Sequence, residues 1–178
     1  IPQLEQQLSR QQVEDTLEGM IRNNVVVSNK GNIYLPHVYT QESETACKAV
    51  QMTLEVPESV RLAPVMERMK SRLGINLSKK QSEGVEMVFR HNLSIITGGP
   101  GTGKSTVLKA VIEAYRAIYP RKIIKLAAPT GKASRRMAET TGIMDAQTLH
   151  SLLGLHGSES WKKKKRDLDA DLVIVDES

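Results

Sequence analysis

The sequence has one cysteine, Cys47, and aromatic residues make up only 3% of its 178 positions. A lone cysteine excludes an internal disulfide framework and fits a reducing compartment. Cys47 itself reads as a small, semi-apolar helix residue. So few aromatics exclude an extensive base-stacking platform. His150 has no second histidine or cysteine at the spacing of a metal site. No apolar run approaches the roughly 20 residues that a bilayer span requires. The start, "IPQLEQQLSRQQ", is polar from its third residue, unlike a signal peptide. There is no internal repeat, and no low-complexity segment beyond "KKKKR". The first residue, Ile1, is what a piece of a longer protein would show.

What is present suits a soluble protein of one medium domain, or one domain with a small appendage: 39% hydrophobic and 25% charged residues. The charge is uneven. Residues 1–75 carry 8 Lys+Arg against 9 Asp+Glu, and residues 76–178 carry 17 against 11. The second part therefore favours a polyanionic partner.

In the first part, Val13, Leu17, Met20 and Ile21 recur at helical spacing, which predicts a helix over 8–23. "NVVVSNKGNIYLP" predicts a hairpin turning at Ser28–Asn32, and a second helix fits 40–53 with Ala46, Ala49, Val50 and Thr53 inward. Helix, hairpin and helix resemble part of a winged-helix unit; a plain helical appendage reads equally well, and near-neutral charge argues against a DNA grip. Pro57 and Pro64 mark the seam. From residue 76 strand and helix alternate, the pattern of a parallel sheet flanked by helices. Ser78 caps a helix to residue 90, Leu93–Thr97 is a buried strand and Lys104–Ile118 a helix. Lys122–Ala128 is a second strand, Thr130 caps a helix ending near Gly142, and Asp145 caps another ending near Gly154. Leu172–Val175 is a third strand, wholly apolar.

Between the first of these strands and its helix lies "GGPGTGKST": Gly98, Gly99, Pro100, Gly101, Thr102, Gly103, Lys104, Ser105 and Thr106. Gly98–Ser105 fits G-x-x-x-x-G-K-[ST] in the context that motif requires. Glycines let successive N–H groups converge on an anion, and the helix start adds its unpaired N–H groups and dipole. Lys104 supplies charge for outer phosphates and Ser105 a hydroxyl for Mg²⁺. "LVIVDES" sets Asp176 at a strand end to complete the Mg²⁺ shell, with Glu177 beside it to deprotonate an attacking water. The expectation is hydrolysis of a nucleotide polyphosphate, with Lys104 and Glu177 as its catalytic side chains.

Four further stretches resemble superfamily-one helicases of the RecD type, the exodeoxyribonuclease V alpha-subunit family with its short-form members. "LSKKQ" (77–81) resembles the Q motif, which implies that Gln81 reads the adenine edge. "AAPTGKAS" (127–134) resembles motif Ia and "QTLHSLLG" (147–154) the Ib segment. The resemblance implies single-strand DNA contacts at Pro129, Thr130, Gly131, Lys132, Thr148 and His150. "LVIVDES" resembles motif II, and "NIYLPHVYTQE" the region ahead of the motor. The four motor stretches, with the phosphate loop, cover residues 77–178 in family order, and "NIYLPHVYTQE" lies ahead of them.

The resemblance implies an α/β fold: a small helical domain over 1–72, then a first RecA-like P-loop NTPase motor domain over 73–178, ending after motif II. It implies a cytoplasmic ATP-dependent DNA helicase, with downstream domains or recombination and repair subunits as partners. Without the second motor domain's arginines, worth about 10³–10⁵ in rate, this stretch is expected to bind nucleotide better than it hydrolyses it, and not to unwind DNA. Three rivals stay open. An AAA-type ATPase shares the loop and Asp-Glu pair but gives no reason for Gln81. A small-molecule kinase is disfavoured by Glu177, and a DNA-binding module with a vestigial nucleotide site by the intact Lys104, Ser105 and Asp176. Thr130 reads first as a helix cap, Lys132, Arg135 and Arg136 first as a solvated face. "WKKKKR" (161–166) reads as a solvated loop or a single-strand contact.

Overall fold

The structure, a computed structural model, describes residues 9–155 and 167–176. The chain divides into two compact units, Ile1–Glu55 and Val56–Ser178.

In the first unit, helix α1 (Arg10–Arg22) opens on a capping box in which Ser9 and Gln12 satisfy each other's backbone N–H groups. Strands β1 (Val27–Asn29) and β2 (Asn32–Tyr34) pair antiparallel, with Asn29 opposite Asn32. Lys30 and Gly31 both take positive φ, 50° and 83°, as a two-residue hairpin turn with the twist of its strands demands. Helix α2 (Pro36–Leu54) begins earlier than its apolar pattern predicts, because Pro36 sits in its first turn, where a missing N–H costs nothing. The expected inward face of α2 is not buried. Ala46 and Thr53 are exposed, Ala49 is half-buried and Val50 is 57% exposed. No described element of this unit covers that face, so periodicity alone did not bury it.

The second unit is built around one helix. Its elements are α3 (Ala63–Leu73), α4 (Lys79–Arg90), α5 (Lys104–Ile118), β3 (Ile124–Ala128), α6 (Gly131–Thr141), β4 (Ala146–Thr148), α7 (Leu149–Leu152) and β5 (Leu172–Val175). One face of α5, with Val107, Ala110, Val111 and Ala114, packs with Leu62, Val65 and Met69 from α3 and its start and with Val85 and Phe89 from α4. Ile112, on its other side, packs with Leu126 of β3 and Met137 of α6. Ala110, Ile112 and Ala114 have no exposed surface at all. Helix α5 is thus held from both sides, and whatever its first turn carries is held with it. Because α3 gives Val65 and Met69 to this core, the compact units meet at Glu55–Val56 and not at residue 72. Helix α3 escaped the sequence reading, although Pro64 at its start and left-handed Gly74 at its end are ordinary boundary signals.

The sheet is parallel, in the order β4-β3-β5. Ala128 lies opposite Thr148, and Ala127 opposite Val175. Two expectations fail here. Leu93–Thr97 is not a strand: it joins no ladder among the described residues, and Ile95 is 76% exposed. An apolar run becomes a strand only where a neighbour takes its N–H and C=O groups. Asp145 does not cap a helix. The unforeseen strand β4 follows it, and Thr148 caps α7 instead, accepting from Ser151 N–H at 3.2 Å. Asp145 pairs with Lys125 at 2.9 Å, and this bond holds its carboxyl below the usual aspartate range. Among the described residues no helix is long and apolar enough to cross a membrane.

Candidate functional site

Among the described residues, four helix starts are closed by a side chain of the chain itself and three are not. Ser9, Ser78, Thr130 and Thr148 each accept a hydrogen bond inside the first turn of α1, α4, α6 and α7. Helices α2 and α3 carry proline there. Helix α5 has neither: its N-cap is Gly103 and no side chain caps it. The leading N–H groups and the positive dipole end are left for an outside acceptor. A helix start alone does not make a site, but the loop before it adds two independent features.

The first feature is backbone shape. Gly101 and Gly103 take φ of 74° and 84°, a left-handed conformation that aims neighbouring N–H groups into a concavity. A methyl group at Gly98 would stand 2.6 Å from the Thr102 hydroxyl, so the loop closes too tightly there for a side chain. That hydroxyl donates to Gly99 O at 2.8 Å.

The second feature is Lys104. Its Nζ donates to Gly98 O at 2.6 Å and Gly99 O at 3.1 Å. An ammonium has three hydrogens, so one remains for a further acceptor. Both partners are neutral, and none of the ion pairs among the described residues involves Lys104. Its charge is therefore held over the loop without being cancelled. The loop from Gly98 to Thr102 is exposed, as are Ser105 and Thr106, while Gly103 and Lys104 are half-buried. The loop is thus an exposed concavity with an ammonium over it.

Asp176 follows β5 and its N–H donates to Ala127 O at 3.0 Å, so the β3–β5 ladder fixes where it leaves the sheet. A hydroxyl (Ser105) and a carboxylate (Asp176) are hard oxygen donors suited to Mg²⁺, which takes one or two protein ligands and completes its shell with water and phosphate. No cluster of three or more His, Cys, Asp or Glu that could hold a metal occurs among the described residues. Glu177 lies outside the described residues, as does Trp161–Arg166.

The two stretches expected to touch a nucleic-acid backbone come together. Pro129 and Thr130 follow β3, Thr148 ends β4, and Ala128 pairs with Thr148, so both stretches leave the same end of adjacent strands. Asp176 leaves β5 at that end too. Carboxyl ends of parallel strands are where open α/β sheets bind ligands. Thr130 is a helix cap, accepting from Ala133 N–H at 3.2 Å. Gly131, Lys132, Arg135, Arg136 and His150 are exposed.

Gln81 is where the sequence said least. It is the N3 residue of the α4 capping box, and its Nε2 donates to Thr102 O, in the phosphate-type loop, at 3.2 Å. The Ser-x-x-Gln spacing signals the capping box; nothing in it signals the second bond.

Comparison with known proteins shows the family. A family model of the AAA domain matches residues 81–178. The chain is 36% identical over 151 residues to the ATP-dependent RecD2 DNA helicase of Deinococcus radiodurans, covering 84% of this chain and 20% of that protein. It is 32% identical over 120 residues to the RecBCD enzyme subunit RecD of Mycobacterium tuberculosis, covering 56% and 21%. With the subunit of the same name from Haemophilus influenzae it shares 34% identity over 121 residues, covering 55% and 19%. The chain spans about a fifth of the length of these curated relatives. Matched over more than half its residues, the chain belongs to the AAA domain family, with the fold of a P-loop NTPase, and within it is RecD-like.

Proposed function

We propose that this chain is the nucleotide-holding part of an ATP-dependent DNA helicase. The observation that carries the proposal is the uncapped start of α5 behind left-handed Gly101 and Gly103, with Lys104 over it on neutral partners only. Gly98–Thr106 cradle the triphosphate, the third hydrogen of Lys104 going to its outer oxygens. Ser105 and Asp176 would hold Mg²⁺, which when bound would supply positive charge to offset that building up on the phosphates. Glu177 takes a proton from the attacking water as the bond between the γ-phosphorus and the bridging oxygen breaks, giving ADP and inorganic phosphate. Gln81 keeps one amide hydrogen and one lone pair beyond its two bonds, enough to meet an adenine edge.

Pro129, Thr130, Gly131, Lys132, Thr148 and His150 form the single-strand DNA side of the same sheet end. Contacts of that sort go to the backbone and tolerate any sequence. In the whole protein hydrolysis would drive movement along single-stranded DNA and duplex unwinding, together with domains or subunits beyond this chain.

The test is ATP turnover by the complete protein with and without oligo-dT. Turnover should need Mg²⁺ and rise with oligo-dT. Glu177→Gln should abolish it while Mg²⁺-ATP affinity, measured by calorimetry, is kept. Turnover indifferent to DNA, with no oligo-dT binding at low salt, would refute the helicase reading and leave a general ATPase.

A further inference from the structure

Gln81 faces two ways. Its Oε1 accepts the Ser78 N–H at 2.9 Å, closing the capping box at the start of α4. Its Nε2 donates to Thr102 O at 3.2 Å, across 21 positions of sequence. A donor stands at one end of the amide and an acceptor at the other, so only this orientation satisfies both. The capping box therefore aims the amide hydrogen at the loop. Thr102 is the hinge of that loop: its hydroxyl donates to Gly99 O, and Gly103, with φ of 84°, follows it. Gly103 is also crowded by Gln81, since a methyl group there would collide with the amide nitrogen. A bracket thus runs from the α4 start through Gln81 to Thr102 and on to Gly99, whose carbonyl also receives Lys104.

We propose that Gln81 is a positioning residue of the phosphate loop: by holding the Thr102 carbonyl it fixes the turn through Gly101–Gly103 that presents N–H groups and Lys104 to a polyphosphate. The inference rests on the reading of this loop as a phosphate site, and deepens it. A residue that only reads adenine affects ligands through the base. A residue that sets the loop affects every polyphosphate, base or none. The α4 start and the loop are then joined through the Gln81 amide, and a change at Gln81 reaches the phosphates without touching them.

The experiment uses the complete protein and three probes with Mg²⁺: tripolyphosphate, ADP and GDP, titrated by calorimetry. Gln81→Leu removes both amide bonds at similar size. Ser78→Ala removes only the Oγ acceptor and leaves the Ser78 N–H on Gln81 Oε1, so the bond to Thr102 survives a weakened cap. Gln81→Leu should weaken tripolyphosphate binding by about three- to tenfold, the factor carried by one neutral hydrogen bond. GDP should weaken by a similar factor, and ADP by at least that. Ser78→Ala should lower the melting temperature and leave tripolyphosphate affinity unchanged. Wild-type tripolyphosphate affinity in Gln81→Leu, with any loss confined to ADP, overturns the proposal and leaves a base reader. Equal weakening by Ser78→Ala also overturns it, because the effect then belongs to the helix cap. A wild-type protein that binds none of the three probes overturns the phosphate-site reading itself, an outcome distinct from the other two.

Discussion

Two lysines of the second unit show how a charge is committed. Lys122, just before β3, meets the Asp171 carboxylate at 2.6 Å, and the same carboxylate accepts the Ile123 N–H at 2.8 Å. Each group steadies the other's charge: the shared hydrogen bond raises the Lys122 pKa and lowers that of Asp171. Lys104 also makes two short bonds, but to carbonyls. Carbonyl dipoles fix an ammonium in place without neutralising it. The first lysine is spent on joining the start of β3 to the approach to β5. The second meets no counter-charge among the ion pairs of the described residues, which is what the proposed phosphate site requires, and no side chain caps the start of α5. The difference between structure and function here is whether the partner of a cation carries a charge.

Exchanging each lysine for alanine breaks that comparison most directly. Lys104→Ala should weaken Mg²⁺-ATP binding to the complete protein by at least about tenfold, the lower end of what a hydrogen bond to a charged group contributes. Lys122→Ala should leave that affinity unchanged and lower the melting temperature slightly. Calorimetry and thermal melting separate the two. Equal loss of affinity in both variants would mean that net charge, and not position, draws the nucleotide.

Much of this contrast was legible beforehand, and the failures have a common cause. The loop motif and the bounds of α5, Lys104–Ile118, followed from local chemistry: glycines, a helix-forming run and Pro120 beyond it. Ser78 and Thr130 were legible as caps for the same reason, since a cap is decided within four residues. What failed depended on distant partners. Leu93–Thr97 has strand composition but finds no ladder, while Ala146–Thr148, hardly strand-like, finds one beside β3. Asp145 was expected to take a nearby backbone N–H and instead meets Lys125. Gln81 was linked to the site by resemblance alone; its bond to Thr102 depends on how α4 packs against α5, which no short motif encodes.

A smaller effect sharpens the comparison from the backbone side. Gly103→Ala forces a side chain into φ of 84°, a strain of roughly 1–2 kcal/mol for a residue with a Cβ. The new methyl also pushes on the Gln81 amide, which is the end of a flexible side chain and gives way. The expected result is a lower melting temperature together with weaker Mg²⁺-ATP binding, although Lys104 is untouched. Alanine at Gly142, also left-handed with φ of 71° but at the end of α6, should lower stability by a comparable amount and spare binding. If both variants bound ATP like wild type, loop shape would not matter, and the charge of Lys104 would stand alone.

The smallest effect belongs to the neutralised lysine. The Lys122 hydrogen bond and the Ile123 N–H hold the Asp171 carboxyl below the usual aspartate value of 3.8. A depressed carboxyl gives stability that is complete above its unfolded value and is lost as pH falls through the folded one. Lys122 is the mirror case: its pKa is raised from 10.5, so its contribution is complete below that value and is lost as pH rises through the folded one. The pair therefore contributes evenly across neutral pH and fades at both extremes. Asp171→Asn keeps an oxygen for the Ile123 N–H and removes the charge. Its melting temperature should lie slightly below wild type at pH 7, and the gap should close as pH is lowered through and below 3.8. Added salt at pH 7 should narrow the gap as well, because Lys122 and Asp171 are 52% and 30% exposed and such a pair is screened. A gap that persisted unchanged in acid would assign the loss to the Ile123 hydrogen bond and not to the ion pair, and Lys122 would no longer stand as the cancelled counterpart of Lys104.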